Sequence, residues 1–186
     1  MSKNAWIYAA IALMFGAAGA YVGVSKKAPE APLTTTYQPT AAVAHTPVQA
    51  LFSQSMNDPS GGSQSLGRWK GKALVVNFWA PWCAPCVEEM PELDTLAAES
   101  AAKGINVIGI GIDSPSNIAQ FASKFKISYP LYVAGMSGTE LARDFGNKAG
   151  GLPYTVLIGA DGQVKKTYLG RLKFDELKAD LAALTP

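Results

Sequence analysis

Residues 75–93 read VVNFWAPWCAPCVEEMPEL, and this stretch contains both cysteines of the 186-residue chain, Cys83 and Cys86. Two residues separate the cysteines, and two tryptophans and three prolines stand in the same stretch. Cysteines at this spacing can be half of a metal site, a structural cross-link or a redox-active pair. The rest of the sequence decides among these three roles.

Metal and structural roles fit the cysteine pair poorly. A zinc site needs about three or four protein ligands, but the chain adds only one histidine, His45. Covalent haem attachment requires a histidine directly after the second cysteine, where Val87 stands. A cross-link that closes so short a loop removes little entropy from the unfolded chain. We therefore predict a redox pair, and we expect neither a metal nor another cofactor.

The pair lies where a strand is predicted to end and a helix to begin. Residues 73–80 are a continuous apolar run, as expected of a central strand, and helical spacing follows up to Gly104. Cys83 would sit at or just before the first helical turn, where free N–H groups and the helix dipole favour a thiolate. Pro85 is tolerated in that turn. Cys86, one turn later, would lie beneath as the resolving thiol.

Two neighbours of the pair are candidates for a role in its chemistry. Trp82 can shield the sulfur atoms, or it can be a simple core or rim aromatic. Glu89 is three residues beyond Cys86 and shares its helix face, whereas Glu88 points elsewhere. Cys86 must lose or gain a proton during exchange. We predict that Glu89 accepts this proton, and the alternative is a solvated surface carboxylate.

The pattern from residue 51 onward predicts an α/β fold, with a central mixed sheet flanked by helices. Strand-like and helical segments alternate in the order β-α-β-α-β-α-β-β-α; they are 73–80, 85–104, 105–113, 114–127, 128–134, 137–147, the strand pair within 154–170, and 173–186. Strands that alternate with helices predict a mostly parallel sheet. Asp161-Gly162 predicts a hairpin that adds an antiparallel edge. A smaller hairpin is expected to turn at residues 59–62.

The N-terminal region differs in composition from the rest. Residues 5–24 contain no charged side chain, and a helix of that length spans about 30 Å, the thickness of a bilayer core. We favour a signal anchor over residues 1–27. The alternative is a signal peptide cut after Ala18-Gly19-Ala20, but the apolar run continues past that position.

A proline-rich linker is predicted between this segment and the folded domain. Residues 28–50 are rich in Pro, Ala and Thr and show neither helical nor strand periodicity. His45 lies there, and we expect it to be a solvated side chain rather than a ligand or a catalytic base. The folded domain is then predicted to span residues 51–186.

On these residues the chain resembles the thioredoxin superfamily. NFWAPWCAPC is similar to its active-site motif, and WCAPCVEEMPEL resembles its membrane-tethered, exported branch, the TlpA/ResA-like thiol–disulfide oxidoreductases. The resemblance extends from about residue 51 to the C-terminus. It includes GLPYTVLIGADGQV, residues 151–164, which is similar to the loop, strand and turn around the family's cis-proline.

The resemblance implies specific roles for several residues. Cys83 would be the attacking cysteine and Cys86 the resolving one, while Glu89 would match the family's functional glutamate. Pro153 would be the cis-proline that faces the disulfide, and Leu152 would offer its backbone to an extended substrate. Four residues are predicted to bind the substrate: Trp82 and Pro85, beside the disulfide, and Leu152 and Pro153, in the cis-proline loop.

Two positions depart from the pattern of the superfamily. Asn77 occupies the strand position at which thioredoxin has a buried aspartate that assists the resolving cysteine. Because Asn77 does not titrate, more of the proton transfer would fall to Glu89. Tyr154 stands where a small threonine is usual, which predicts different substrate contacts near the loop.

These observations predict an extracytoplasmic thiol–disulfide oxidoreductase that reduces protein disulfides. Ala84 and Pro85 supply neither charge nor a hydrogen-bond donor to stabilise a thiolate strongly, which favours a reductase over a disulfide-forming oxidase. Two further hypotheses are a Cu(I)-binding module that uses two thiolates and a tethered scaffold with inert cysteines. The net charge of +2 is too small to indicate a nucleic-acid partner.

The resemblance also implies partners and a location. The substrates would be protein thiols and disulfides, such as apo-cytochrome c thiols or metal-assembly proteins. A membrane thiol would supply the electrons. The N-terminal helix would anchor the chain once in the inner membrane, with the catalytic domain in the periplasm.

Overall fold

The apolar run before the cysteines forms the strand at the middle of the sheet. The computed structural model of the protein describes residues 46–184, and β3 spans Ala73–Trp79. Every residue from 74 to 79 has an exposed fraction of 0%. A strand covered on both faces needs apolar side chains on both, which explains why this one lacks the polar alternation of a half-exposed strand.

The other elements follow the predicted order. Along the chain they are α1 (Pro47–Phe52), β1 (Ser55–Asn57), β2 (Ser63–Ser65), a 3-10 helix (Leu66–Trp69), β3 (Ala73–Trp79), α2 (Ala84–Ala101), β4 (Ile105–Gly111), α3 (Pro115–Phe125), β5 (Leu131–Val133), α4 (Ser137–Asp144), β6 (Tyr154–Ile158), β7 (Val164–Leu169) and α5 (Phe174–Ala182). The alternation predicted from residue 73 onward is confirmed. So are both hairpins, β1–β2 and β6–β7.

The sheet is mixed, as predicted, but it is not mostly parallel, because its antiparallel part is larger than the single edge expected from the Asp161-Gly162 hairpin. Within residues 46–184 the strand order is β2-β1-β5-β4-β3-β6-β7, and only the β3–β4 and β4–β5 pairs are parallel. Strand β6 runs antiparallel to β3, with Tyr154 opposite Phe78 and Ile158 opposite Leu74. After α4 the chain reaches the sheet beside the carboxyl end of β3. The strand that begins there, β6, therefore runs antiparallel to β3.

Two apolar cores lie on the two faces of the sheet. Side chains of β3 alternate between them: Val75 and Trp79 join the core under α2, α3 and α5, while Leu74, Val76 and Phe78 join the core under α1, α4 and the 3-10 helix. The alternation follows from the two-residue period of a strand. It also places Asn77, between Val76 and Phe78, on the face that α2 covers.

Helix α1 begins before the position at which the folded domain was predicted to start. Thr46 caps the helix, its hydroxyl accepting from the N–H of Gln49 at 3.2 Å, and Val48 and Leu51 are buried in the second core. The predicted boundary between residues 50 and 51 therefore falls inside α1. Four residues cannot show a helical period, which is why the sequence suggested linker there.

The predicted anchor (residues 1–27), most of the linker and His45 lie outside the described residues. Across residues 46–184, none of the helices combines the length and the apolar character that a bilayer crossing requires.

Candidate active site

The two cysteines form a disulfide at the start of α2. Their Cα atoms are 5.2 Å apart, Cys83 is the N-cap residue, and Pro85 lies in the first turn. Cys83 has an exposed fraction of 6% and Cys86 of 0%. An incoming sulfur therefore reaches Cys83 first, and the positive end of the helix dipole stabilises a thiolate at that position.

Glu89 is fully buried beneath the disulfide-bearing turn, with an exposed fraction of 0%. One carboxylate oxygen, Oε1, accepts from Asn77 Nδ2 at 2.8 Å, and the other, Oε2, accepts from the backbone N–H of Leu172 at 2.9 Å. Burial raises the pKa of the Glu89 carboxyl, and these two hydrogen bonds oppose that rise. The alternative of a solvated surface carboxylate was wrong, because α2 turns Glu89 toward the sheet.

Other charged groups act on Glu89 from a greater distance. The Arg171 guanidinium lowers the pKa of the Glu89 carboxyl, although less than burial raises it. Arg171 itself forms an exposed ion pair of 3.1 Å with Glu88, which confirms that Glu88 points away from Glu89. On the sheet side, burial and the Glu89 charge together hold the pKa of the Tyr129 hydroxyl far above its usual range.

The loop before β6 has the conformation predicted for it. The Leu152–Pro153 bond is cis. The Pro153 carbonyl accepts from the N–H of Gly170 at 2.9 Å, and Asn147 Nδ2 donates to the Gly151 carbonyl at 2.8 Å. These two hydrogen bonds connect the loop to the segment after α4 and to the end of β7, and so hold it in place.

Tyr154, the residue after the cis-proline, is buried rather than presented to a substrate. Its exposed fraction is 4%, and its hydroxyl donates to the carbonyl of Phe145 at 2.8 Å. Its ring lies 6.3 Å from that of Phe78 in the second core. Whatever substrate contacts the loop makes therefore come from Leu152 and Pro153 rather than from this side chain.

An open groove of about 450 Å³ runs beside the disulfide-bearing loop. Its apolar lining includes Trp82, Met136 and Leu152. Trp82 is 68% exposed and Met136 is 79% exposed, so the groove has two large, solvent-exposed apolar side chains in its lining. Trp82 is thus a rim aromatic on the outer surface rather than part of a core.

The structure brings most of the predicted site residues together. Cys83, Cys86 and Glu89 occupy consecutive turns of α2, and Trp82 and Leu152 line the same groove. In the part of the chain that the structure describes, no three His, Cys, Asp or Glu side chains are arranged to hold a metal ion.

Three features of the site were not found from the sequence. Asn77 was singled out, but its hydrogen bond to Glu89 was not predicted. The backbone N–H of Leu172, which donates to Glu89, lies 83 residues from Glu89 in the chain. No sequence pattern predicts a backbone donor of this kind. Met136 carried only a weak signal, since it lies in a loop and binding residues are disproportionately found on loops.

Comparisons with known proteins place the chain among redox proteins. The sequence profile of the Redoxin family matches residues 27–181. Thiol-disulfide oxidoreductase ResA of Geobacillus thermodenitrificans (strain NG80-2) is 29% identical over 132 residues, which are 70% of this chain and 74% of that protein. The protein of the same name from Bacillus cereus (strain ZK / E33L) is 30% identical with the same coverage. The structure of a thiol:disulfide interchange protein from Chlorobium tepidum TLS matches with a TM-score of 0.63 at 26% identity, over 72% of this chain and 94% of that one.

Proposed function

Since the chain belongs to the Redoxin family and is a TlpA/ResA-like thiol–disulfide oxidoreductase of the thioredoxin superfamily, we propose that it reduces disulfides of other proteins outside the cytoplasm. The observation that carries this proposal is the pairing of a helix-capping disulfide with a buried carboxylate, Glu89, one turn beyond it. A stable structural disulfide would need no such group beside it.

The reaction begins from the reduced protein and ends at the disulfide that the structure contains. The Cys83 thiolate attacks one sulfur of a substrate disulfide, forms a mixed disulfide with it and releases the other substrate sulfur as a thiolate. Cys86 then attacks the Cys83 sulfur, which forms the Cys83–Cys86 bond and releases the second substrate thiolate. The substrate gains two electrons and the protein loses two, so a separate thiol donor must restore the dithiol.

Glu89 is proposed to take the proton of Cys86 in the second step. Cys86 is fully buried, so water has poor access to its thiol and a neighbouring base has to receive the proton. Glu89 follows one helical turn later, and burial raises the pKa of its carboxyl, which makes the carboxylate a stronger proton acceptor than an exposed one. The Asn77 and Leu172 hydrogen bonds hold the carboxylate in place for this transfer.

The proposed reducing direction is supported by what surrounds the Cys83 sulfur. A strong oxidant must stabilise its reduced form. Here the two residues between the cysteines are Ala84 and Pro85, whose side chains offer the thiolate neither a positive charge nor a hydrogen-bond donor. The stabilisation that the helix dipole gives is modest.

The reduction potential tests this direction. We expect the full chain to have a potential near the roughly −270 mV of thioredoxin. The measurement equilibrates the protein with graded dithiol and disulfide mixtures and counts free thiols by alkylation and mass. A potential above about −150 mV would show that the protein is an oxidase instead.

The groove is proposed to hold an apolar side chain next to the substrate's cysteine. Trp82, Met136 and Leu152 offer apolar surface within reach of a peptide that pairs with the backbone of Leu152. The Asp113 carboxylate is the acidic group in the groove lining, and it already accepts from the N–H of Ser114 and from Asn117 Nδ2. The groove therefore favours an apolar or weakly basic segment of a protein substrate.

A negative charge introduced into the groove should lower the activity toward peptide and protein substrates but not toward small disulfides. We expect Met136→Glu to lower kcat/KM by about tenfold toward a peptide disulfide with a neighbouring leucine, because about 50 Å² of apolar contact is lost. Toward a small aromatic disulfide the rate should stay the same. Val164→Glu is the matched control, since Val164 is also exposed, at 40%, but lies at the far end of the β6–β7 hairpin. Equal losses toward both substrates would refute a docking role for the groove.

The location and the partners complete the proposal. The uncharged segment of residues 5–24 supports a single-pass anchor in the inner membrane. The proposed reduction of disulfides outside the cytoplasm requires the catalytic domain on the periplasmic side. A membrane thiol protein would return the electrons that each turnover consumes. Proteins whose cysteines must be reduced before they bind haem or metal are the proposed substrates, including apo-cytochrome c. Protease protection of the domain in sealed inverted and right-side-out vesicles tests the orientation.

A further inference from the structure

A single amide nitrogen joins the Glu89 carboxylate to the sheet. Asn77 is fully buried in β3, and its Nδ2 donates to Glu89 Oε1 at 2.8 Å and to Thr155 Oγ1 at 3.0 Å. Thr155 lies directly opposite Asn77 on β6. An NH₂ group has two hydrogens, and both are therefore used by these two acceptors.

The other end of the same amide is not held. Of residues 46–184, none donates a hydrogen bond to Asn77 Oδ1, although this atom is buried. A donor at that position would fix the orientation of the amide, because a rotated amide would place its NH₂ group against the donor. Without one, only Glu89 and Thr155 decide which end of the amide faces them.

The two partners respond differently to a rotated amide. The Thr155 hydroxyl either donates or accepts, so it forms a hydrogen bond with the Asn77 nitrogen or with the Asn77 oxygen. Glu89 has less freedom, because the N–H of Leu172 holds Oε2 as an acceptor. Oε1 accepts from Nδ2 when Glu89 is a carboxylate. When Glu89 is protonated, Oε1 carries the O–H, which requires an acceptor such as Oδ1.

We propose that the Asn77 side-chain amide rotates by half a turn with the protonation state of Glu89. Nδ2 faces a charged Glu89, and Oδ1 faces a protonated one, where it accepts from both the carboxylic acid and Thr155. The heavy atoms keep their places, and each state of Glu89 retains its hydrogen bond to the sheet. Asn77 is then a positioning residue that gives the Glu89 carboxyl a partner in both of its states, although the rotated Nδ2 leaves its two acceptors.

This inference explains why the strand carries an amide and not a second acid. An aspartate at residue 77 would place a second negative charge at 2.8 Å from the Glu89 oxygen, and the two acids would titrate as a coupled pair. An apolar side chain would leave the charged state of Glu89 with one donor fewer and the protonated state without its acceptor.

The surroundings identify Glu89 as the group that titrates next to Asn77. Cys86 on α2 is in the disulfide and does not titrate in the oxidised protein. The pKa of Tyr129, which faces Glu89 from the segment before β5, lies far above the usual range. Arg171, on the segment before α5, is the guanidinium group that acts on Glu89. A pH-dependent change of the Asn77 amide in the oxidised protein therefore reports the Glu89 proton.

Nuclear magnetic resonance of the oxidised full chain in mild detergent tests the rotation. The protein carries ¹⁵N in its asparagine side chains and ¹³C in its glutamate carboxyls and threonines, and the pH is varied over the range in which it stays folded. We expect the Asn77 NH₂ protons to show cross-peaks to Thr155 when Glu89 is charged. These cross-peaks should be lost with the same midpoint as the Glu89 carboxyl shift. In Glu89→Gln, whose NH₂ donates at every pH, they should be absent throughout.

Asn147 supplies the control within the same spectrum. It too is buried with an unpartnered Oδ1 among the described residues, but its Nδ2 donates to a backbone carbonyl that does not titrate. Its resonances should not follow the Glu89 midpoint. The proposal is overturned if Glu89 titrates while the Asn77–Thr155 cross-peaks persist, or if Glu89 does not titrate at all.

The inference rests on the proton-accepting role proposed for Glu89, but its test is separate from catalysis. The oxidised protein performs no exchange during the measurement. A rotating amide in a protein that fails to reduce disulfides would overturn the proposed function alone. A fixed amide in an active reductase would overturn the rotation alone.

Discussion

Cys83→Ser is expected to reduce thiol–disulfide exchange to the background of the uncatalysed reaction, whereas Cys86→Ser should attack substrates normally and remain bound to them. Cys83 is the more exposed sulfur and caps α2, so its replacement removes the nucleophile. Cys86 is fully buried and acts only after the mixed disulfide exists. Insulin disulfide reduction measures turnover, and non-reducing electrophoresis with mass spectrometry detects the trapped adduct.

The same pair of variants identifies the natural substrates. When Cys86→Ser is expressed in cells, mixed disulfides on Cys83 should accumulate because their resolution is blocked. The double variant Cys83→Ser/Cys86→Ser is the control, since it retains the fold and the groove but offers no sulfur. Adducts that form equally well on Cys83→Ser, through Cys86, would contradict the assignment of the attacking cysteine.

Glu89→Gln is expected to slow the second step of exchange by about 100-fold at neutral pH, the lower range of what a positioned general base contributes. Burial raises the pKa of Glu89, so the wild-type rate should increase as the pH rises through that raised value and the carboxylate forms. In the variant the rate should rise only at the alkaline pH at which Cys86 ionises without a neighbouring base. Wild type and variant should therefore converge at alkaline pH.

The pH profile of the rate at which Cys86 resolves a preformed mixed disulfide on Cys83 provides the measurement. Glu88→Gln is the matched control, because Glu88 is the preceding residue but has its carboxylate exposed and paired with Arg171. Its profile should coincide with that of the wild type. Glutamine fits the space of Glu89 and still accepts from the Leu172 N–H, so a loss of folding is not expected to obscure the result. An unchanged profile in Glu89→Gln would end the assignment of Glu89 as the base.

The centre of the site was readable because its signals are local. The apolar run of residues 73–80, the proline two positions after Cys83 and the helical spacing beyond it all act within one strand and one helix. Together they placed Cys83 at the N-cap before any tertiary contact was known. The same local logic identified the shared helix face of Cys86 and Glu89.

The direction of β6 and the surroundings of Glu89 were not readable in this way. Alternating strands and helices suggested a mostly parallel sheet. However, the segment after α4 enters β6 beside the carboxyl end of β3, so β6 runs antiparallel to β3. The spacing also left Glu89 either buried or solvated. That choice depends on Asn77 and Leu172, which approach it from a strand and from a loop 83 residues away.

The residues of this protein therefore determined its chemistry on their own: two cysteines and too few other ligands for a metal, held where a strand meets a helix. Local periodicity and helix-capping chemistry act over a few neighbouring residues, and such effects are visible in a sequence. Tertiary structure alone decided that the carboxyl is buried, which groups hold it, and that Trp82 and Met136 stand at one groove. These depend on long-range register and packing, which bring distant segments together and leave no local pattern.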